Sequence, residues 1–88
     1  MNLKHRVCIL SPKHEEIVQW ILHDLRSGAT IYEGTGAYDG KVHKEIIAIV
    51  DNQEYKKLMD YMKKTDPSAF ITVYSVNEVI YQPKRIAK

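Results

Sequence analysis

The chain has 88 residues and a formal net charge of +2, with 44% hydrophobic and 27% charged residues. One domain fits this length and a second core does not; a composition this ordinary excludes a disordered, coiled-coil or fibrous chain. The longest apolar run, Ile46 to Val50, is too short to span a bilayer or act as a secretion signal.

The positive charge is concentrated at the C-terminus. Lys84, Arg85 and Lys88 lie in the last seven residues, and residues 1–81 carry 10 basic against 11 acidic side chains. A neutral body lacks the clustered cations that bind a nucleic-acid backbone. Residues 1–88 are expected to form a single domain, with a folded core over 1–81 and a basic tail over 82–88. The one cysteine, Cys8, has no partner for an internal disulfide, which favours a reducing compartment.

In chain order, His5 to Leu10 reads as a short strand, with Val7, Cys8, Ile9 and Leu10 in an apolar run. Ser11-Pro12 reads as a helix start, a hydroxyl to cap and a proline at the first helical position. Ile17, Trp20, Ile21 and Leu25 follow at helical spacing, widened by Val18 and Leu22, and Gly28 fits the C-terminal stop. Glu15 and Glu16 fall in the first turn, where they favour the helix dipole. Ala29 to Glu33 and Val42 to Val50 read as strands two and three, joined by the glycine-rich segment Gly34 to Gly40 with its Asp39-Gly40 turn signal.

Asp51 followed by Glu54 resembles a capping box. It opens a helix in which Tyr55, Leu58, Met59 and Met62 recur at i, i+3, i+4 and i+7. Asp66-Pro67 marks a turn, and Ala69 to Val76 alternates as a fourth strand. The order β-α-β-β-α-β predicts an α+β, ferredoxin-like split βαβ fold: a four-stranded antiparallel sheet with two helices on one face. Strands one and three look apolar on both faces, so the uncovered face is expected to be buried by self-association into a dimer or trimer.

The segment Gly34 to Gly40 is the most informative motif, because closely spaced glycines expose backbone amides that can wrap an anion. It matches neither a Walker A loop, which needs a different glycine spacing and a Ser or Thr after the lysine, nor a Rossmann fingerprint, which needs a helix where a strand follows. Tyr38 is the loop side chain expected to make contact, and Lys41, Arg26 and Lys44 supply positive charge. RNA binding of the recognition-motif type is not expected, since the two central strands carry no aromatic residue. His5, His14, His23 and His43 show no metal-ligand spacing and read as surface residues, so no metal and no cofactor is expected. No nucleophile and base assemble in the sequence, and no enzyme activity is expected.

From Arg26 to Tyr81 the chain resembles a known family. Gly28-Ala-Thr30, Glu33-Gly-Thr-Gly-Ala-Tyr38 and Asp66-Pro-Ser-Ala-Phe70 with Thr72-Val73 carry the likeness to the domain of unknown function 2179, the C-terminal cytoplasmic domain of YitT-type bacterial membrane proteins. The arginine that family members place directly before the first of these glycines falls one residue earlier here, at Arg26. The resemblance implies a fold similar to the PII and ACT-like groups of oligomeric small-molecule sensors, and a cytoplasmic location. The expected function is a self-associating regulatory domain that binds an anionic metabolite or nucleotide. Its expected ligand residues are Arg26, Thr30, Gly34, Gly36, Tyr38, Gly40 and Lys41. The alternative is a protein-protein interaction module with no small ligand. Membrane contact is expected only through a segment preceding this sequence.

Overall fold

The structure is a computed structural model that describes residues 4–77. The basic tail and the expected core boundary at residue 81 lie outside the described residues. The elements are β1 (Lys4–Leu10), α1 (His14–His23), β2 (Thr30–Thr35), β3 (Val42–Val50), α2 (Asn52–Thr65) and β4 (Phe70–Val76). All four strands form one antiparallel sheet in the order β2-β3-β1-β4, and both helices pack on the same face. This is the ferredoxin-like arrangement that the element order predicts.

Strand periodicity decides which residues meet the helices. Val7 pairs with Ala48 and Ile9 with Ile46, so these side chains share one face, joined by Val50. They form the core with Ile17 and Ile21 of α1 and Leu58 and Met62 of α2, all buried. Helical spacing of i, i+4 gives each helix the same one-sided stripe. Trp20 belongs to the rim of this core: it is half-buried and stacks on Tyr61 of α2 with centroids 4.1 Å apart and planes 9° apart. Leu22, also read into the apolar stripe, is exposed.

The opposite face of the sheet is uncovered by helices. Tyr32, Ile49, Phe70 and Tyr74 are all substantially exposed there, while Ile47 is half-buried. Cys8 lies on this face yet is buried; the Arg6 side chain, which donates to its Sγ at 3.3 Å, lies beside it, with the Arg6 guanidinium 5.5 Å from the centre of the Tyr74 ring.

Three boundaries differ from the sequence reading, each for a local reason. The first helix begins at His14, and Pro12 lies in the preceding turn, where the Ser11 hydroxyl accepts from the Lys13 amide at 3.0 Å. The left-handed residue after that helix is Arg26, with φ 60°, and not Gly28; the Ser27 amide reaches back to the Ile21 carbonyl at 2.9 Å, closing the turn two residues early. β2 continues through Gly34, which pairs with His43, to Thr35 opposite Val42, so the connection is shorter and spans residues 36–41. The capping box of α2 is complete: Asp51 accepts from the Glu54 amide and Glu54 from the Asp51 amide, each at 2.8 Å.

Candidate functional site

The hairpin connection is closed by its own backbone. The Gly36 amide donates to the Lys41 carbonyl at 2.8 Å, and the Gly40 amide to the Gly36 carbonyl at 2.9 Å. Gly40 holds φ +68°, the left-handed conformation that glycine adopts without a steric penalty. Inside this frame the Asp39 carboxylate accepts from the Lys41 amide at 2.9 Å and meets His43 Nε2 at 3.1 and 3.4 Å. The Lys41 amide holds the Asp39 carboxyl below its ordinary value of 3.8 against the opposing effect of desolvation, with the hydrogen bond and charge of His43 adding lesser contributions. A Cβ on Gly36 would run into the Asp39 carboxylate and approach His43 Nε2 to 3.1 Å, so the absence of a side chain at residue 36 makes room for this pair.

A second relationship places a hollow beside the connection. The β1–β3 register ends at Leu10 opposite Glu45, whereas the β2–β3 register runs on to Val42. Val42, His43 and Lys44 are therefore paired on one side only. The chain leaves β1 through Ser11 and Pro12 into α1, and the gap so bounded is a hollow of about 670 Å³. Leu10, Pro12 and Val42 give it apolar walls; His14, His43 and Lys44 give it up to three positive groups, and Ser11 gives it a hydroxyl. An apolar surface beside a lysine and two imidazoles suits an organic anion.

Ser11 is fixed by the turn that precedes β4, which adjoins it because Leu10 pairs with Phe70. Its hydroxyl donates to the buried Asp66 at 2.6 Å, and Asp66 also accepts from the amide and hydroxyl of Ser68 at 3.2 and 3.0 Å. These donors, Ser11 first, hold the Asp66 carboxyl below its ordinary value of 3.8, with Lys13 adding a favourable charge. Asp66 thus does more than cap the turn before Pro67: it ties the α2–β4 turn to the β1–α1 turn.

The residues expected to bind ligand separate into two groups. Gly34, Gly36, Tyr38, Gly40 and Lys41 lie at the end of β2 and in the connection, with Tyr38 fully solvent-exposed; none of them lines the hollow, whose strand residues come from β1 and β3. Thr30 and Arg26 belong to the opposite end of β2. There Thr30 lines a smaller hollow of about 510 Å³ with Arg6, Tyr32, Ile47 and Ile49. His14 and His43 are additions that sequence spacing did not bring together; the signal available was the excess length of β3 over β1. Among the described residues no group of three His, Cys, Asp or Glu side chains could hold a metal ion, and no helix is long and apolar enough to cross a membrane.

Comparison with known proteins places the fold and the site in context. Residues 27–81 match a family described as uncharacterized protein conserved in bacteria, DUF2179. The UPF0750 membrane protein YdeO of Bacillus subtilis is 34% identical over 71 residues, covering 81% of this chain and 24% of YdeO. The chain spans about a quarter of the length of the B. subtilis membrane proteins it matches. A crystal structure of a DUF2179 protein from Eubacterium ventriosum superposes with a TM-score of 0.72 at 28% identity, covering 81% of this chain and 97% of that one. The fold is shared with CPII, a nitrogen regulatory PII-like protein from Thiomonas intermedia K12 solved with ADP, AMP and bicarbonate. There the TM-score is 0.59 at 21% identity, over 86% of this chain and 93% of CPII.

Proposed function

The chain belongs to the DUF2179 family of bacterial proteins, and on that footing we propose that it is a regulatory, ligand-sensing domain of a membrane protein, acting at the cytoplasmic face. It binds an anionic metabolite or nucleotide in the hollow beside the 36–41 connection. The observation that carries this reading is an apolar-walled hollow beside the glycine-rich turn with His14, His43 and Lys44 on its rim. The likeness of fold to CPII, solved with adenine nucleotides, makes AMP and ADP the first probes. Gly36, Tyr38, Gly40 and Lys41 act from the hairpin side of the same site, and Gly34 leaves the adjoining strand position without a side chain. Arg26 and Thr30, at the far end of β2, join the site only through a second copy of the chain.

Calorimetry and melting curves with AMP, ADP and inorganic phosphate test the proposal. Saturable binding should raise the melting temperature by mass action, and Lys44→Glu should reduce affinity at least tenfold. Absence of binding by all three at millimolar concentration would sink the reading. One observation favours the interaction-module alternative: the exposed Tyr32, Ile49, Phe70 and Tyr74 on one sheet face offer a surface for a protein partner. We assign that surface to a second copy of this chain.

A further inference from the structure

The 36–41 turn contains an anion of its own, placed against an imidazole that lines the hollow. Asp39 Oδ2 is 3.1 Å from His43 Nε2, and the same His43 lines the hollow. Three further features hold the carboxylate there: the Lys41 amide bond at 2.9 Å, the left-handed Gly40, and the missing Cβ at Gly36. None of these supports the core, which lies on the far side of the β3 register from this turn. The sequence has therefore built a local structure whose outcome is to put a carboxylate against one imidazole.

We propose that Asp39 is a tethered competitor: an anionic ligand entering the hollow takes its place on His43, and the displaced Asp39 frees the turn. This inference rests on the reading of the hollow as an anion site and adds the means by which occupancy is signalled. One imidazole serves two carboxylate or phosphate partners in succession. In the ligand-free state Asp39 holds His43; in the bound state the His43 imidazole meets the ligand, and Asp39 swings away and takes from the Lys41 amide the acceptor that holds it. The ligand class is an anion carrying a phosphate or carboxylate group, since a neutral ligand could not compete for His43. Both partners are partly exposed, so the contact is weak, as a displaceable contact must be.

Asp39→Asn tests this directly, because asparagine keeps an acceptor for the Lys41 amide while removing the charge that competes for His43. The wild-type chain and the variant are titrated with AMP and with inorganic phosphate at one pH and ionic strength, and amide exchange of Lys41 is followed in the wild-type chain. The expected result is two- to fivefold tighter binding by Asp39→Asn, the range that a partly exposed ion pair supplies, together with faster Lys41 exchange in the wild-type chain at saturation. Equal or weaker binding by Asp39→Asn, or unchanged Lys41 exchange at saturation, overturns the competitor while leaving the anion site standing. Failure of both chains to bind either probe removes the site and the competitor together.

Discussion

Ser11 donates to Asp66 across 2.6 Å, joining the turn that ends β1 to the turn that begins β4. Both residues are buried, and Asp66 accepts from Ser68 as well, so this small polar cluster is fully bonded on its carboxylate side. Replacing Ser11 by Ala removes a donor and leaves a buried acceptor short of a partner. We expect a loss of about 1–2 kcal/mol, read from urea unfolding. A loss indistinguishable from zero would show that solvent replaces the serine.

The same cluster sets an acid limit. The folded Asp66 carboxyl titrates below the unfolded value near 3.8, Ser11 being the leading cause. A depressed carboxyl stabilises the fold above the unfolded value, and that contribution disappears as pH falls through the folded one. Melting temperature should therefore fall as pH is lowered below about 4, and Ser11→Ala should lessen this fall. Parallel curves for the two proteins would contradict the assignment.

The glycines of the hairpin should respond differently to substitution. Gly34→Ala meets nothing within 4 Å, and its backbone is not left-handed, so melting should be unchanged or slightly raised. Gly40→Ala is strained at φ +68° and should cost about 1 kcal/mol. Gly36→Ala should expel Asp39 from His43, seen as a shifted His43 ring resonance with little change in melting temperature. Equal behaviour of all three variants would mean that the turn tolerates side chains everywhere.

Core and rim are distinguished by truncation. Leu58→Ala, fully buried between helix and sheet, should cost about 2–5 kcal/mol. Trp20→Ala removes a larger side chain but one only half-buried against Tyr61, and it should cost less. Reversal of that order in denaturant titrations would place the energetic centre between the helices.

Assembly through the open sheet face has a direct test. Light scattering after size exclusion should give a mass of at least two chains at micromolar concentration, and the pair Ile49→Lys with Phe70→Lys should return a single chain. A monomer for the parent at every concentration would leave the exposed Tyr32, Ile49, Phe70 and Tyr74 unexplained by self-association.

Much of this architecture is legible in sequence because single strong signals specify it. The Asp51–Glu54 pair marks the start of α2, and the alternation of Ile46, Ala48 and Val50 with Ile47 and Ile49 identifies a two-faced strand. The turn after α1 is less legible: Gly28 is the residue that composition nominates, but the left-handed position falls on Arg26, where the buried Leu25 and the Ser27–Ile21 bond fix the chain's exit. The hollow was half visible. Glycines and nearby lysines direct attention to the 36–41 end of the hairpin, whereas His14 and His43 come to one hollow only through strand register, which no local spacing encodes.

The overhang of β3 past the end of β1 has an evolutionary corollary. Residues 36–44 are anchored by one neighbouring strand, and apart from that anchorage they contribute nothing to the buried interior. Apart from the left-handed Gly40, substitutions there leave the folding free energy almost untouched, so the surface of this end of the hairpin and thermodynamic stability are free to diverge in separate lineages. A domain built this way supplies a constant chassis whose exposed end changes character through only a few exchanged side chains.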